Sequence, residues 1–449
     1  MQALLIKNAT IVNENGVRRG HVLCRGGIIE RVSYEDDPAF AEKNAPVTID
    51  AKSRLLIPGV IDDQVHFREP GLTHKADIAS ESRAAVAGGI TSYMEMPNTS
   101  PPTTTRELLN QKTEIASRSS FANFSFYMGA TNGNIEELKA ADQSRVCGIK
   151  VFMGSSTGDL LVDDDAALRA IFENIRIPVA VHCEDEKTIR ENSRDYRNRY
   201  GENLPVSLHP EIRSEEACWL SSSRAVELAR AYGTRLHVLH ISTARELELF
   251  ASLTPEEKKR ITSEVCIHHL WFDNSDYERL GNSIKWNPAI KTGADRDALV
   301  SAVESGLIDI VATDHAPHTA GEKAGTYFSA PSGGPMVQHA LPAMLELVKR
   351  GSLTVEKVVE RMCHAPARLF SLEKRGFIRE GYFADLALVD MDARWTVTKD
   401  NILYKCGWSP MEGVNFSTRV THTIVNGHVV YAEGVIDPQP RGIQLKFNR

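Results

Sequence analysis

The 449-residue chain lacks the features of several large classes of protein. Its formal net charge is −7 and it has no long run of lysine or arginine, which argues against binding to nucleic acid or to a membrane surface. No apolar run approaches the roughly 18 residues that a membrane-spanning helix needs. The first eight residues also lack the basic start and apolar core of a signal peptide. A small-molecule substrate is therefore expected, and a homo-oligomer stays open.

Cysteine is scarce and irregularly spaced. The seven cysteines form no Cys-x-x-Cys pair, and their odd number does not suit a disulfide framework. In a chain of this size they are typical of reduced cysteines in a core, which predicts a cytoplasmic protein.

The two ends of the chain share a β-rich texture. Residues 1–57 contain three strand-like stretches, and the part after about residue 371 again alternates apolar and polar residues, with Asn426-Gly427 as a tight-hairpin signal. Two β-rich ends around a different middle predict one small domain formed from both termini, residues 1–57 together with 371–449.

The middle, residues 58–370, alternates strand-like with helix-like stretches. Eight βα units in this length fit a (β/α)8 barrel. A doubly wound open sheet is the alternative, but no glycine-rich phosphate loop follows the first strand. The predicted strands are Val60–His66, Thr91–Met96, Asn123–Gly129, Gly148–Met153, Pro178–Cys183, Leu236–Ile241, Ser263–His268 and Asp309–Thr313.

Ionisable and polar residues cluster where these predicted strands end. A lone histidine on an apolar strand is more often a hydrogen-bonded core residue than a ligand, but several at matching strand ends are hard to explain structurally. Imidazole and carboxylate are ligands of zinc, and a hydrolytic zinc site keeps one position open for water. The pattern therefore predicts a metal-dependent hydrolase. The residues concerned are His66, Arg68, Asn98, Lys150, His182, His240, Asp314 and His318.

Lys150 is the anomaly of this group, because an uncompensated lysine inside a barrel is costly. Burial would lower its pKa, and the neutral amine could then react with carbon dioxide to form a carbamate able to bridge two metals. The alternative is a lysine that reaches the rim and pairs with a carboxylate. The residues alone favour neither.

Four segments together resemble the cyclic amidohydrolases. They are Pro58–Gly71 (PGVIDDQVHFREPG), Val181–Asp185 (VHCED), His237–Ser242 (HVLHIS) and Ala312–His318 (ATDHAPH). Within that superfamily, three shorter motifs look like those of dihydroorotases: Phe67–Gly71, Met96–Thr99 and Lys285–Pro288. The resemblance covers nearly the whole chain. It implies a TIM-like barrel with a β-sandwich built from both termini.

The resemblance also implies roles for individual residues. Asp314 would be the catalytic base and acid, and one or two zinc ions would be held by a set that includes a carbamate on Lys150. The implied metal ligands are His66, Lys150, His182, His240 and Asp314, with Gln64 doubtful. The implied substrate-binding residues are Arg68, Asn98, Asn287, His318, Ser332 and Gly333. On their own, Asn98 could be a turn residue beside Pro97, and Arg68 could be half of a surface ion pair with Glu69 or Asp77.

One position departs from the family pattern. The first barrel strand of the family normally carries His-x-His, and this chain has Gln64-Val65-His66. A neutral amide oxygen is a poor zinc ligand, so one of two zinc positions is expected to be weak. The alternative is that the chain is a catalytically inactive relative of this family, but the other expected residues are present.

The expected function is that of a zinc-dependent dihydroorotase, which interconverts (S)-dihydroorotate and N-carbamoyl-L-aspartate in de novo pyrimidine biosynthesis. Two alternatives stay open: another cyclic amidase, such as a hydantoinase or allantoinase, and a non-catalytic partner of a carbamoyltransferase.

Overall fold

The computed structural model describes residues 3–34, 45–154 and 160–449. The strands of these residues are β1 Leu4–Asn13, β2 Gly16–Arg25, β3 Ile28–Tyr34, β4 Val47–Asp50, β5 Leu55–Pro58, β6 Val60–Val65, β7 Ile90–Glu95, β8 Asn123–Phe126, β9 Met128–Gly129, β10 Ile149–Phe152, β11 Val179–His182, β12 Leu236–Val238, β13 Ile261–Cys266, β14 Ile310–Ala312, β15 Leu386–Asp390, β16 Trp395–Thr396, β17 Asn415–Phe416, β18 Arg419–Val425, β19 His428–Ala432 and β20 Val435–Ile436.

The longer helices lie mostly between the strands of the middle region. The α-helices span Ile78–Ala87, Arg106–Ser119, Ile135–Lys139, Asp165–Asn174, Glu186–Tyr200, His209–Ile212, Glu215–Tyr232, Leu247–Ala251, Ile267–Trp271, Tyr277–Leu280, Gly293–Ser305, Ala320–Lys323, Ala340–Lys349, Val355–Val359 and Ala365–Leu369. Among the described helices, none combines the length and the apolar character needed to cross a membrane.

Strands β6 to β14 form a closed parallel barrel. One run pairs β6, β7 and β8, a second runs from β9 to β14, and Tyr127 alone separates β8 from β9. The barrel closes where the backbone N–H of His66 donates to the carbonyl of His315 at 2.7 Å. The predicted (β/α)8 barrel, with all eight of its strands, is confirmed.

Two predicted strands end two or more residues earlier than expected, for local reasons. Strand β12 ends at Val238 rather than Ile241, because His240 has a left-handed backbone with φ of 41° that cannot continue the ladder. Strand β13 ends at Cys266 rather than His268, because a helix begins at Ile267. Both shifts fall at the carboxyl ends of strands, where the chain turns toward the cavity described below.

Both termini contribute to the second unit, a nine-stranded sheet. Strands β1 to β5 come from the first 58 residues, and β15 and β18 to β20 from the last 64. The two halves join where β5 pairs antiparallel with β15, with Leu56 opposite Leu388. Side chains from both halves, such as Ile6 and Ile424, share one buried core. The predicted β-sandwich from both termini is confirmed, while the exact domain boundaries after residues 57 and 370 stay a prediction.

The last residues of the chain cover the amino ends of the barrel strands. Leu445 donates its N–H to the carbonyl of Phe124, and the Arg449 guanidinium donates to the carbonyls of Val146, Cys147 and Phe370. Leu445 and Phe447 are buried there in a cluster with Tyr127. The opposite rim, at the carboxyl ends, holds the main cavity of the barrel.

Candidate active site

A cavity of about 590 Å³ opens at the carboxyl ends of the barrel strands. All twelve residues predicted from the sequence to hold metal or substrate line it. They are Gln64, His66, Arg68, Asn98, Lys150, His182, His240, Asn287, Asp314, His318, Ser332 and Gly333. Their convergence is now a structural fact, whereas the role of each stays a prediction.

Two imidazole rings face each other at the floor of this cavity. His182 is the last residue of β11, and its Nδ1 lies 3.0 Å from Nε2 of His240. Nε2 of His182 lies 2.9 Å from the buried Glu184 carboxylate, so this nitrogen carries the proton and Nδ1 keeps its lone pair. Burial lowers the pKa of both histidines, which keeps the rings neutral and able to coordinate a metal.

Asp314 and His66 lie across the cavity from this pair. Oδ1 of Asp314 is 3.1 Å from Nε2 of His66, and the other ring nitrogen of His66 is 2.7 Å from Oδ1 of Asn98. Asn98 therefore orients an imidazole at the site, which goes beyond the role of a turn residue. The carboxylate of Asp314 is placed where it could bind a metal ion or accept a proton.

Backbone strain coincides with these predicted residues. Within the described part of residues 58–370, the non-glycine residues with a left-handed backbone are Arg68, His240 and Asp314, with φ of 69°, 41° and 44°. Such conformations cost on the order of 1–3 kcal/mol each, and they persist only where the surrounding structure enforces them. The barrel thus holds three of its predicted site residues in costly conformations that aim their side chains at the cavity.

Lys150 is buried in the middle of β10, with 1% of its surface exposed. Its ammonium lies 4.7 Å from the centre of the Phe152 ring, and no carboxylate of the described residues forms an ion pair with it. Desolvation lowers its pKa to about 8, so roughly a tenth of the amine is neutral at pH 7. The structure therefore does not support the alternative of a lysine paired at the rim.

Gln64 is turned away from a ligand role. Its Nε2 donates to Oδ1 of Asp314 at 3.2 Å, and its Oε1 accepts from the Cys266 thiol at 3.7 Å. The side chain thus presents hydrogens, not oxygen, toward Asp314 and His66. Of the predicted ligands, Gln64 is the one whose geometry argues against coordination.

We call the part of the cavity that holds His66, Lys150, His182, His240 and Asp314 the metal-type half. A positively charged pocket, the substrate half, adjoins it. Arg68 is buried, and its guanidinium donates to the carbonyl of Pro317 at 3.1 Å. The ring of His318 lies between Arg68 and Lys75, with contacts of 3.2 and 3.0 Å. Burial, and after it the charge of Arg68, lowers the pKa of His318 far below its usual range, so the ring is neutral. Arg68 is thus not half of a surface ion pair.

A fixed loop completes the pocket. Lys323 donates to the carbonyls of Pro331 and Gly333 at 2.9 and 2.7 Å, and the N–H of Gly333 donates to the carbonyl of Lys285 at 2.8 Å. Gly333 has φ of 120°, and a Cβ there would lie 2.6 Å from the carbonyl of Ala316. This position therefore requires glycine, and the loop presents backbone groups to the cavity in a set geometry.

Sequence reasoning did not single out several residues that support the site. Glu184 holds His182, and the Arg213 guanidinium lies 3.3 Å from Glu184 while donating to Oδ1 of Asn287 at 2.7 Å. Lys75, which forms an ion pair with Glu322 at 2.9 Å, contacts Nδ1 of His318 and helps to fix its ring. Glu184 stands two residues after His182 in a segment already noted, and that spacing was an available signal.

A sequence profile of the amidohydrolase family matches residues 55–430. The chain belongs to this family. A dihydroorotase of Methanosarcina mazei is 34% identical over 451 residues, which cover 98% of this chain and 96% of that protein. An allantoinase of Bacillus velezensis is 32% identical over 441 residues, 96% of this chain and 94% of that protein. The solved structure of an L-hydantoinase (dihydropyrimidinase) from Arthrobacter aurescens superposes with a TM-score of 0.94 at 28% identity, covering 99% of this chain and all of that one.

These relatives confirm the predicted superfamily, the resemblance to dihydroorotases and the prediction of an enzyme that hydrolyses cyclic amides. The site also fits the metal dependence typical of this family. Two ligands of a tetrahedral zinc at about 2.0–2.1 Å lie roughly 3.3 Å apart, close to the 3.0 Å between the facing nitrogens of His182 and His240. The carboxylate on the far nitrogen of His182 is the usual partner of a metal-binding imidazole.

Proposed function

We propose that this amidohydrolase is a zinc-dependent dihydroorotase, which interconverts (S)-dihydroorotate and N-carbamoyl-L-aspartate. The carrying observation is the placement of the buried Arg68, which contacts His318 and forms no ion pair with the described residues, directly beside the residues suited to a metal. Dihydroorotate is a cyclic imide that bears a carboxylate on its ring. Allantoin and simple hydantoins have no ring carboxylate, so they would leave the buried guanidinium of Arg68 without an opposite charge.

Arg68 would bind the substrate carboxylate. A guanidinium is a planar fork that suits bidentate hydrogen bonding to a carboxylate. His318, whose ring is fixed by Lys75 and by the carbonyl of Ser332 at 3.1 Å, would complete that contact. The same carboxylate is present in both proposed substrates, so one pocket serves both directions of the reaction.

The amide groups of the ring would be oriented by Asn98, Asn287 and the backbone of Ser332 and Gly333. Asn287 is held by Arg213, and Asn98 by His66, so neither amide has to be ordered by the substrate. Preorganised polar groups of this kind place the scissile carbonyl without an entropic cost at the moment of reaction.

Zinc held by His182, His240 and a carbamate on Lys150, with His66 and Asp314 at a second position, would supply a polarised carbonyl and a more acidic water. Asp314 would take the proton of the attacking water and pass it to the departing ring nitrogen. In the direction of ring closure Asp314 would carry the proton the opposite way. Its Oδ1 already accepts a hydrogen bond from Gln64 and lies beside His66, which keeps the carboxylate in place.

The carbamate on Lys150 follows from its burial. A neutral amine adds to carbon dioxide, one proton is released, and the product is an anion that coordination to zinc would stabilise. A pKa of about 8 leaves part of the amine neutral near pH 7, and no ion pair with the described residues holds it. The neutral amine can therefore react with carbon dioxide.

The test is turnover of the purified, zinc-loaded protein on dihydroorotate and N-carbamoyl-L-aspartate, with allantoin and hydantoin measured beside them. The proposal expects both members of the first pair to react. Turnover of allantoin or hydantoin with none of dihydroorotate would transfer the assignment to another cyclic amidase. A metal-free protein without any turnover would support a non-catalytic partner of a carbamoyltransferase, an alternative that only Gln64 favours. A cytoplasmic location, suggested by seven free cysteines, stays part of the proposal.

A further inference from the structure

Three ionisable side chains meet inside the barrel, apart from the residues that line the catalytic cavity. Asp63 comes from β6, His237 from β12 and Glu264 from β13, and each is at most 1% exposed. One potential ligand atom from each lies within 4.8 Å of the other two. Nε2 of His237 is 3.2 Å from Oδ2 of Asp63 and 3.4 Å from Oε2 of Glu264.

The polar atoms at the centre of this cluster have no hydrogen-bond partner among the described residues. They are both carboxylate oxygens of Asp63, Oε2 of Glu264 and Nε2 of His237. Burial of carboxylates costs several kcal/mol per ion, and a single positive charge on His237 would balance only one of the two. A cation at their common centre would remove that cost.

The hydrogen bond on the far side of His237 shows that Nδ1 carries a proton. The hydroxyl of Thr262 donates to the carbonyl of Leu236 at 3.2 Å, so its oxygen accepts from Nδ1–H of His237 at 2.9 Å. With one proton on Nδ1 and none on Nε2, the ring directs the lone pair of Nε2 at the two carboxylates. Three electron-rich atoms then converge, as they do around a metal.

We infer that Asp63, His237 and Glu264 form a second metal centre, which binds one divalent ion of the zinc type. A tetrahedral ion with bonds of about 2.0–2.2 Å separates its ligand atoms by roughly 3.3–3.6 Å, in line with the 3.2 and 3.4 Å found here. Two carboxylates and a neutral imidazole balance its charge. Oδ1 of Asp63 is available as a fourth donor.

This centre would have a structural role next to the catalytic one. Oε1 of Glu264 accepts from the backbone N–H of His240 at 3.3 Å. An ion on Oε2 would fix this carboxylate, and with it the left-handed backbone of His240. The inference does not depend on which cyclic amide is the substrate.

Access to the centre is from the face of the barrel opposite the catalytic cavity. A cavity of about 290 Å³ reaches His237 and Thr262 there, and its lining includes Arg235, Lys259 and Arg260. These cations would repel a metal ion that enters or leaves. We therefore expect slow exchange, and an ion that resists a chelator longer than the catalytic zinc does.

A proton is the competing occupant. Burial lowers the pKa of His237, but its contacts with Asp63 and Glu264 outweigh burial and raise that pKa to about 9. The direct test is anomalous diffraction above and below the zinc absorption edge, on crystals of the unaltered protein grown with zinc. A peak bounded by Asp63, His237 and Glu264 is expected, beside the catalytic peak. A catalytic peak with none at the cluster would overturn the inference and leave the proton in place.

Metal content provides an independent test. Zinc is counted by mass spectrometry after dialysis against a chelator, in Lys150→Ala protein, where the catalytic zinc is expected to be lost. About one zinc per chain should remain, and it should disappear in Lys150→Ala/Glu264→Gln. Asp309→Asn in the Lys150→Ala background is the matched control, because Asp309 is half-buried near His237 but supplies none of the three ligands. A folded Lys150→Ala protein without zinc would contradict the inference.

Discussion

The two halves of the catalytic cavity are built differently. The metal-type half rests on barrel strands: Lys150 lies within β10, His182 ends β11, and His240 follows β12 by two residues. The substrate half rests on loops, where Arg68, His318 and Gly333 are held by backbone carbonyls and lysines. The strands hold the reacting residues in a fixed geometry. The loops tolerate changes in sequence more readily, so they can be adapted to different substrates. Such a division would allow relatives in one family to carry the names dihydroorotase, allantoinase and hydantoinase.

If the two halves differ in this way, substitutions in the metal-type half should affect metal content and kcat, and substitutions in the substrate half should affect KM. The largest effect is expected for Lys150→Ala, which removes the proposed carbamate. Turnover should fall below detection together with loss of catalytic zinc, and short carboxylic acids should restore part of it by replacing the missing carboxylate. High-resolution electron density at Lys150 in the unaltered protein should show three atoms beyond the amine. A plain lysine in an active, zinc-loaded crystal would contradict the prediction.

Asp314→Asn is expected to come next, because the amide cannot accept the proton of the attacking water. Loss of a general acid–base group lowers kcat by about two to four powers of ten. The fold and zinc at His182 and His240 should persist, as measured by circular dichroism and metal analysis. Turnover within a factor of a few of the unaltered enzyme would remove Asp314 from the mechanism.

Arg68→Ala tests the substrate half of the cavity. Charge-assisted hydrogen bonds contribute about 1.5–3 kcal/mol, so KM should rise by about 10- to 150-fold for both dihydroorotate and N-carbamoyl-L-aspartate. Zinc content should not change. Arg106→Ala is the matched control, because Arg106 is exposed and pairs with Glu137. Unchanged steady-state kinetics in Arg68→Ala would show that the pocket does not bind the carboxylate.

Glu184→Gln sharpens the account of the metal-type half. The carboxylate on Nε2 of His182 orients the ring and raises its basicity, and loss of such a partner usually lowers metal affinity by about 10- to 100-fold. Zinc titration in competition with a chelating dye measures this directly. The kcat of the fully zinc-saturated variant should change much less than its affinity for zinc. An unaltered zinc affinity would reduce Glu184 to a partner of Arg213.

Gln64→His should give the smallest effect. Gln64 donates to Asp314 instead of offering a ligand, so the second zinc position near His66 and Asp314 is expected to be weak and filled only when zinc is plentiful. An imidazole at this strand position should raise the number of zinc ions in the catalytic cavity from one toward two, with little change in fold. Two tightly bound zinc ions within the catalytic cavity of the unaltered protein, located by anomalous diffraction and unaffected by the substitution, would show that Gln64 is neutral.

The sequence predicted the barrel and the gathering of its site residues for a physical reason. Parallel strands bring their carboxyl ends to one rim, so His182, His240 and Asp314 had to meet once the strands were located. The supporting contacts could not be predicted in that way. Whether Glu184 reaches His182, and whether Asp63 meets His237 inside the barrel, depends on local bulges and register between distant segments. The left-handed turn at His240, which shortens β12, has no signal of its own in the residue type.

The central claim is that a carboxylate pocket adjoins a metal-dependent amide-hydrolysing site. Its most direct measurement is kcat/KM of the zinc-loaded enzyme for dihydroorotate and for allantoin, in the unaltered protein and in Arg68→Ala. The account predicts a large preference for dihydroorotate that collapses in Arg68→Ala. A preference for allantoin, or one for dihydroorotate that survives loss of Arg68, would contradict it.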